Sequence, residues 1–463
     1  MKVILIPAFP SRRRGRKEVS FRPIAGFLFF VSLVIGMAPR QASAVPAYAR
    51  QTGQPCQTCH VGAFGPQLTP FGRDFKLNGY TLSDGGDHFP PLAVGIQSSF
   101  THTAADQPQS PAPNAGFGAA GPNNNFAVDQ IELFWGGQIT PSIGAFIQET
   151  YSEVSNGFHW DDMDVRYAHP GELFDMNYVA GITLNNHPTI QDLWNSTPAF
   201  GFPYVASSMA PGSSATTQID NMLAQRVIGV GAYSMWNDWL LTEFDLYAPL
   251  DRSALNALGI VPVSGATLYH GATPYWRLAL QHGFGDHYFE LGTYGLQAEN
   301  YPGGDQSAGT TDKFTDIAFD ANYQWTGNRD HFISAHTTLI REQAKLDASS
   351  ILAGANSSDR LTTFRADLTY SWHDTLVPTV QYFNKQGSND ANFWGTDNGS
   401  PNSAGFITEL AIVPFGKSSS FSPFYNMRFD IQYVTYTKFN GTSSHAWNNN
   451  SLYLNLWLIG AAW

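Results

Sequence analysis

Charged residues and long apolar runs are both scarce in this chain. Asp, Glu, Lys and Arg make up 13% of its 463 residues, about half of the roughly 25% found in soluble domains. After residue 44 no stretch approaches the ~20 consecutive apolar residues that a transmembrane helix needs. The second shortage excludes a helical membrane protein, and the first makes an ordinary soluble enzyme a poor match. Aromatic residues, in contrast, are plentiful at 14%.

Cysteine is rarer still, because Cys56 and Cys59 are its only two occurrences. A structural zinc site usually needs a second cysteine pair, so these thiols favour another chemistry. Cys56, Cys59 and His60 form a C-x-x-C-H motif, the covalent attachment site of a c-type haem. Each thiol can add to one vinyl group of a haem, and the adjacent imidazole can then bind the iron. The motif therefore predicts one covalent haem c with His60 as an iron ligand.

An export signal precedes the motif. Six Lys or Arg residues between positions 12 and 22, an apolar run at residues 24–37 and the A-x-A site Ala42-Ser43-Ala44 predict a secretory signal peptide over residues 1–44. Its removal takes away eight of the 25 Lys and Arg and one of the 37 Asp and Glu, so the net charge changes from −12 to −19. Such a chain repels nucleic acid and attracts cations or basic partners.

The remaining chain alternates apolar and polar residues in short segments. In residues 314–325, Ile317 and Phe319 lie on one face and Asp316 and Asp320 on the other. Exported, aromatic-rich segments with this period are typical of a transmembrane β-barrel, in which the apolar face contacts lipid. A soluble sandwich also alternates, but its apolar face points to a core.

Sixteen such segments predict an all-β fold, a 16-stranded porin-like outer-membrane β-barrel over residues 92–463. The predicted strands are 92–102, 126–139, 142–153, 160–169, 174–184, 223–235, 239–249, 272–283, 286–300, 312–325, 331–343, 360–372, 375–383, 404–414, 422–438 and 451–463. Short turns, for example at Pro170-Gly171, alternate with long links. In bacterial barrels the short turns are periplasmic, so an even strand count places both chain ends in the periplasm.

Residues 45–91 form a separate predicted domain, a small α-helical cytochrome c segment. Thr69-Pro70 is a good helix start and Asn78-Gly79 a good stop. Because about 40 residues rarely hold a core unaided, we expect the haem to supply it, either at the barrel mouth or as a plug in the lumen. Arg73 and Lys76 are candidates for pairing with the haem propionates; solvated helix charges are the alternative interpretation.

The second axial ligand of the iron has several candidates. No methionine lies between Met37 and Met163, so a ligand from within the small domain is not a methionine. His88 is the other histidine of that domain and is our predicted ligand, beside His60. Lys76, Tyr80, a water molecule and Met163 remain as alternatives.

The residues around the motif resemble a known family. Residues 45–53 (VPAYARQTG), the C-x-x-C-H motif and residues 70–80 (PFGRDFKLNGY) closely resemble the haem segment of the fused monohaem cytochrome–porins of the outer membrane. That family is best known from iron-oxidising bacteria. The resemblance implies oxidation of extracellular Fe(II), with electrons passed to a periplasmic cytochrome c or copper protein; as an enzyme it would be an Fe(II):cytochrome c oxidoreductase. The donor itself does not follow from the match.

Three classes of function stay open at this point. The first is an electron conduit for Fe(II) or another extracellular donor, in which lumen acids would draw the cation inward. The second is a solute porin with a structural or sensory haem plug. The third is a soluble β-rich haem enzyme, which would need a second catalytic cluster that the sequence does not offer. The acids predicted to face the lumen are Asp162, Asp164, Glu243, Asp245, Asp316 and Asp320.

Overall fold

The chain forms one closed antiparallel sheet. The computed structural model describes residues 46–86, 91–107, 122–152, 157–260, 267–328, 330–417 and 425–461, so the predicted signal peptide lies outside the described residues. Within them, sixteen strands pair with their chain neighbours, and β1 closes the barrel against β16, for example Ala93 opposite Ala461. The predicted sixteen-stranded barrel is confirmed.

The strands follow the predicted segments closely. Their bounds are β1 Leu92–Thr103, β2 Asn124–Thr140, β3 Ile143–Ser152, β4 Gly157–Leu173, β5 Met176–Asn185, β6 Val227–Trp236, β7 Leu240–Pro249, β8 Leu268–His270 and Thr273–Phe284, β9 His287–Tyr301, β10 Asp312–Asn328, β11 His331–Lys345, β12 Ser358–Trp372, β13 Leu376–Gly387, β14 Ser403–Ile412, β15 Tyr425–Lys438 and β16 Ser451–Ala461. The two segments of β8 form one interrupted strand, because both pair with β9.

The two faces of the sheet differ as the alternation predicts. On β10, Ile317 and Phe319 are 44% and 52% exposed on the outside, whereas Asp316 and Asp320 are buried in the lumen. The other predicted lumen acids, on β4 and β7, are buried as well. A polar interior behind an apolar exterior is the architecture of outer-membrane barrels. It is the reverse of a soluble sandwich, in which the apolar faces are enclosed.

Short turns follow the even-numbered strands from β2 to β12, whereas twelve residues separate β14 from β15, and longer links follow most odd-numbered strands. The turn predicted at Pro170-Gly171 is wrong, because β4 continues to Leu173 and turns at Phe174 and Asp175, where φ is 52° and 60°. Two consecutive positive φ values give the tight hairpin turn whose twist matches the flanking strands. The longest described link, residues 186–226, folds back into the lumen, and we call it the inserted loop.

Helices are few and short. They are α1 Pro46–Thr52, α2 Cys56–Cys59, α3 Pro70–Leu77, α4 Arg252–Ala257, α5 Asp347–Ala353 and α6 Ala391–Trp394. The predicted start of α3 is confirmed: the Thr69 hydroxyl accepts a hydrogen bond from the Gly72 N–H at 3.2 Å, and Pro70 is the first helical residue. Throughout the described ranges, no helix has the length and apolar character required to cross a membrane.

Candidate functional site

The N-terminal segment, residues 46–86, lies inside the barrel lumen. Its side chains and backbone bond to strands on several sides of the wall. The Tyr48 hydroxyl donates to the Ala145 carbonyl on β3 at 2.7 Å, and the Gln67 amide donates to Ser334 on β11 at 2.5 Å. The Tyr233 hydroxyl on β6 donates to the Leu77 carbonyl at 2.8 Å. These contacts with β3, β6 and β11 place the segment inside the barrel as a plug.

Helix α3 holds the C-x-x-C-H motif in place. The Cys59 carbonyl accepts a hydrogen bond from the Thr69 N–H at 2.9 Å, and the Thr69 hydroxyl donates to the Thr58 carbonyl at 2.5 Å. Gly72 permits this close packing, because a Cβ there would lie 2.3 Å from the Cys59 carbonyl oxygen. The first turn of α3 is therefore fastened directly to the last turn of α2.

Aromatic packing fixes the other face of α3. Phe75 is buried and makes edge contacts with Tyr48 and Tyr80, with ring centroids 5.0 and 5.8 Å away. Phe71, four residues before Phe75, is in contrast 36% exposed. The buried side of α3 carries Gly72, Phe75 and Lys76 instead.

The three residues of the motif are shielded from solvent to different degrees. Cys56 is buried, and neither cysteine is in a disulfide. Burial raises the pKa of the Cys59 thiol to about 12. Burial also lowers the pKa of His60 to about 4, an effect that the nearby Gly65 backbone only partly offsets. His60 Nδ1 is buried without a hydrogen-bond partner among the described residues. The imidazole is therefore neutral, which is the form that binds metals.

A large cavity opens directly in front of this motif. Its volume is about 420 Å³, which is within the roughly 300–1,000 Å³ of typical ligand pockets. We call it the lumen cavity. Its walls come from the N-terminal segment, from β1–β4 and β16, and from the inserted loop. Its lining includes Cys56, Cys59, His60, Phe75, Glu132, Phe134, Phe146, Asp161, Asp162, Phe200, Tyr204 and Ile459.

The inserted loop covers the N-terminal segment and is bonded to it. The Lys76 ammonium donates to the Ile190 and Asp192 carbonyls at 2.5 and 2.7 Å and to the Asn195 side chain at 2.6 Å. The Asn195 amide donates in turn to the Pro66 carbonyl at 2.7 Å. Lys76 therefore acts as a link between α3 and the loop, although its side chain also lines the lumen cavity.

Arg73, three residues before Lys76 on α3, also contacts the inserted loop. Its guanidinium lies 3.8 Å from the ring centroid of Trp194 in the inserted loop and bonds to the Gln324 side chain on β10. Arg73 is not among the residues that line the lumen cavity. The contact of Arg73 and Lys76 with haem propionates stays a prediction, and both cations have protein partners.

The candidates for a second axial ligand differ in their position relative to the lumen cavity, and one lies outside the described residues. His88 lies outside the described residues, so its assignment stays a prediction. Tyr80 lines the lumen cavity, but its hydroxyl donates to Asp164 on β4 at 2.6 Å. Met163 is not among the lining residues. Across the part of the chain that the structure describes, no group of three or more His, Cys, Asp or Glu residues could hold a metal ion.

Two barrel residues support the motif and did not emerge from the sequence as site residues. The Asn426 amide on β15 donates to the Cys56 Sγ at 3.3 Å and to the Ala63 carbonyl at 2.9 Å. Arg428 donates to the Phe64 carbonyl at 3.2 Å. Alternation along β15 does place both residues on the lumen side. Only the fold, however, brings them against residues more than 360 positions away.

Comparisons with known proteins give only distant similarities. No protein-family model and no curated protein matches the chain. Among solved structures it is similar to a loop L8 deletion mutant of OmpT of Vibrio cholerae, with 9% identity over 80% of this chain and 97% of that one and a TM-score of 0.42. It is also similar to the outer membrane channel DcaP of Acinetobacter baumannii, with 9% identity over 80% and 96% and a TM-score of 0.41. Because both scores are below 0.5, we base the functional proposal on this chain's own residues.

Proposed function

We propose that the protein is an outer-membrane electron-transfer protein. It carries one c-type haem, attached to Cys56 and Cys59 with His60 as an iron ligand, and it transfers electrons from an extracellular donor to a periplasmic carrier. Fe(II) is the donor that the family resemblance implies, and the carrier is a cytochrome c or a copper protein. When bound, the haem supplies one-electron exchange. The protein holds the haem in the lumen and positions it between donor and carrier.

The observation that carries this proposal is the position of the motif. Cys56, Cys59 and His60 all line one cavity in the lumen, so a single ligand there can contact the two thiols and the imidazole. Apolar rings in the same lining, Phe134 on β2 and Phe146 on β3, suit a flat aromatic ligand. Burial keeps the His60 imidazole neutral, which is the form that binds metals. These residues fit a covalent haem.

The barrel around the cavity has an apolar exterior and an acidic lumen wall. The apolar exterior suits a bilayer with a hydrocarbon core of about 30 Å, which a haem at one position does not bridge alone. Carboxylates at the lumen wall, among them Asp161 and Asp162 in the cavity lining, favour the entry of a cation. Asp162 is paired with His187 at 2.7 Å, so this carboxylate also helps to hold the inserted loop.

The export signal and the barrel together support the outer membrane as the location. An apolar band around a closed antiparallel barrel with short turns on one side is the design of bacterial outer-membrane proteins. In that design the short turns are periplasmic. The start of β1 and the end of β16 lie on the same side as those turns, so the N-terminal segment would enter the lumen from the periplasm.

A solute porin with a haem plug is the second candidate function, and the barrel itself favours it. Barrels of 16 to 18 strands usually leave an aqueous channel, and this barrel has sixteen. The two candidates differ in one property. A porin passes small solutes through the lumen, whereas a conduit needs the N-terminal segment and the inserted loop to fill it.

Two measurements on the purified, oxidised protein test the proposal. Anaerobic addition of Fe(II) should produce the reduced haem spectrum within seconds, and liposomes that contain the protein should not swell in small sugars. Swelling without reduction would overturn the conduit in favour of the porin.

The role of the acids has its own test. Joint neutralisation of Asp161 and Asp162 to Asn should slow reduction by Fe(II) and remove most of its salt dependence, while Asp251→Asn, at the exposed start of α4, serves as a control. An unchanged rate would show that these acids only support the fold.

A further inference from the structure

A buried cluster of charges lies where the inserted loop, α3 and the barrel wall meet. Its ten members interact electrostatically with one another and are all buried. The four cations are Arg73, Lys76, Arg166 and Arg277, and the six carboxylates are Asp164, Asp192, Glu243, Asp245, Glu290 and Asp320. Fully ionised, the cluster would carry two excess negative charges. Burial of unpaired charge is costly, so this excess calls for protons or a cation.

Most of the carboxylates in the cluster already have partners. Asp164 accepts from Arg166 at 2.8 Å. Arg277 pairs with Asp192 at 3.2 Å, with Asp320 at 2.8 Å and with Glu290. The two arginines thus account for four of the six acids.

Glu243 and Asp245, two residues apart on β7, are the remaining pair. Their side chains contact each other, yet both Asp245 oxygens and Glu243 Oε1 have no hydrogen-bond donor among the described residues. The Gln191 side chain from the inserted loop lies beside Asp245. Its amide Nε2 donates to the Tyr247 hydroxyl at 2.8 Å, and its Oε1 has no partner within the described chain. Four buried oxygens on these three side chains therefore have no hydrogen-bond donor among the described residues.

The backbone opposite this pair accommodates the Asp245 carboxylate. Gly231 on β6 is directly opposite Asp245 on β7, and a Cβ at Gly231 would lie 1.5 Å from Asp245 Oδ1. The carboxylate can thus extend across the neighbouring strand only because position 231 is glycine. Any larger residue would displace Asp245 from the Gln191 and Glu243 side chains.

We propose that Asp245, Glu243 and the Gln191 side-chain oxygen bind one hard divalent cation of the Ca²⁺ or Mn²⁺ class. Carboxylate and amide oxygens are the ligands that such cations prefer. One divalent ion balances the two excess charges and supplies the partner that the donor-free oxygens lack. Because Gln191 is flanked by the two carbonyls that bind Lys76, the ion also fastens the inserted loop to β7. The inference is independent of the haem.

The test uses the full-length protein in detergent after treatment with a chelator. Titration with Mn²⁺, followed by electron paramagnetic resonance, should show one tight site per chain, which Ca²⁺ displaces. Asp245→Asn should weaken binding at least tenfold. Glu409→Gln is the matched control, because Glu409 is equally buried but pairs with Arg428 at 2.6 Å and Gln432 at 2.8 Å. Its affinity for Mn²⁺ should equal that of the wild type.

Three outcomes would overturn the proposal. The first is a wild-type protein that binds no cation tightly at millimolar Mn²⁺, in which case protons balance the acids. The second is unchanged affinity in Asp245→Asn, and the third is an equal loss in Glu409→Gln. If Asp245→Asn does not fold, as judged by its mobility on gels before and after heating, Glu243→Gln replaces it, and the wild-type stoichiometry remains decisive.

Discussion

Asn426 on the barrel wall donates one hydrogen bond to Cys56 Sγ at 3.3 Å and another to the Ala63 carbonyl at 2.9 Å. One side chain of β15 thus bridges the first residue of the C-x-x-C-H motif and Ala63, three residues after its histidine. Cys56 and Ala63 belong to the same buried cluster, together with Phe64, Phe134 and Val413. The motif is therefore held by the barrel as well as by its own helices.

Replacement of Asn426 by Ala should loosen this attachment. The Ala63 carbonyl would lose its buried donor, which typically costs about 1–3 kcal/mol. We expect a lower free energy of unfolding in guanidinium, followed by tryptophan fluorescence. Asn384→Ala is a suitable control, because Asn384 is only half-buried and donates to the Tyr382 hydroxyl at 3.0 Å. Equal stability of both variants and the wild type would contradict the proposed role of Asn426 in holding the motif.

A second prediction concerns Gly62, where the N-terminal segment touches β13. Gly62 has φ of 66°, and an added Cβ would lie 2.5 Å from the Val377 side chain. Gly62→Ala should therefore weaken the contact between the N-terminal segment and β13 and raise the ion conductance of the protein in planar bilayers. Gly85→Ala is the matched control: φ is 85° there, but nothing lies within 4 Å. It bears only the backbone cost of about 1–2 kcal/mol.

The contact with Val377 can be separated from the backbone effect. In the double variant Gly62→Ala and Val377→Ala, the obstructing methyl groups are gone, so conductance should return toward the wild-type value. Persistent high conductance in the double variant would show that the strained backbone, and not the contact, displaces the segment.

The third prediction is a pH dependence that originates at Asp374, in the turn between β12 and β13. Burial raises the pKa of Asp374 from 3.8 to about 6, so the folded state binds a proton more readily than the unfolded state does. This group therefore destabilises the protein above pH 6, and the cost, on the order of 1–3 kcal/mol, is relieved as the pH falls toward 4.

Asp374→Asn should accordingly be more stable than the wild type at pH 7 and equal to it near pH 4. Asparagine also tolerates the φ of 54° at this position. Thermal unfolding of the two proteins between pH 4 and pH 8 measures the difference. A stability difference that stays constant over this range would refute the assignment to Asp374.

A fourth prediction concerns Asp192, which organises the inserted loop. Its carboxylate accepts from the backbone N–H groups of Trp194, Ser196 and Thr197 at 2.9–3.1 Å. Burial alone would raise its pKa, but Arg277 and Lys76, together with these N–H groups, lower it to about 2. The stabilisation is fully present above pH 3.8 and is lost only as the pH falls toward 2.

Asp192→Asn should open the loop at neutral pH. We expect amide hydrogen exchange at Ser196 and Thr197 to accelerate at least tenfold, while the wild type remains protected down to about pH 3. Exchange in the strands should not change, because their ladder bonds do not involve this carboxylate. Unaltered exchange in the variant would contradict the anchoring role.

The sequence predicted the barrel well because each strand carries its own signal. A residue such as Ile317 must contact lipid and its neighbour Asp316 the lumen, so the environment imposes alternation on every segment. The wrong turn at Pro170-Gly171 has the opposite cause. Turn-forming residues occur inside β4, and the pairing of β4 with β5 determines where the chain reverses.

The surroundings of the motif could not be predicted in the same way. Cys56, Cys59 and His60 are recognisable because their spacing is local. The partners of Arg73 and Lys76, in contrast, lie on an inserted loop and a strand more than 110 positions away. Nothing in the pattern of residues 186–226 indicates that they fold into the lumen, because their burial depends on charge pairs such as that of Asp192 with Arg277.

The central claim is that the lumen holds one covalently attached haem on Cys56 and Cys59. Intact-mass analysis of the protein isolated from cells that mature c-type cytochromes tests it most directly. The account predicts a mass greater by one haem, a c-type pyridine haemochrome spectrum that survives acid–acetone extraction, and loss of both in the Cys56→Ser, Cys59→Ser double variant. A mature chain with the unmodified mass and two titratable thiols would contradict it.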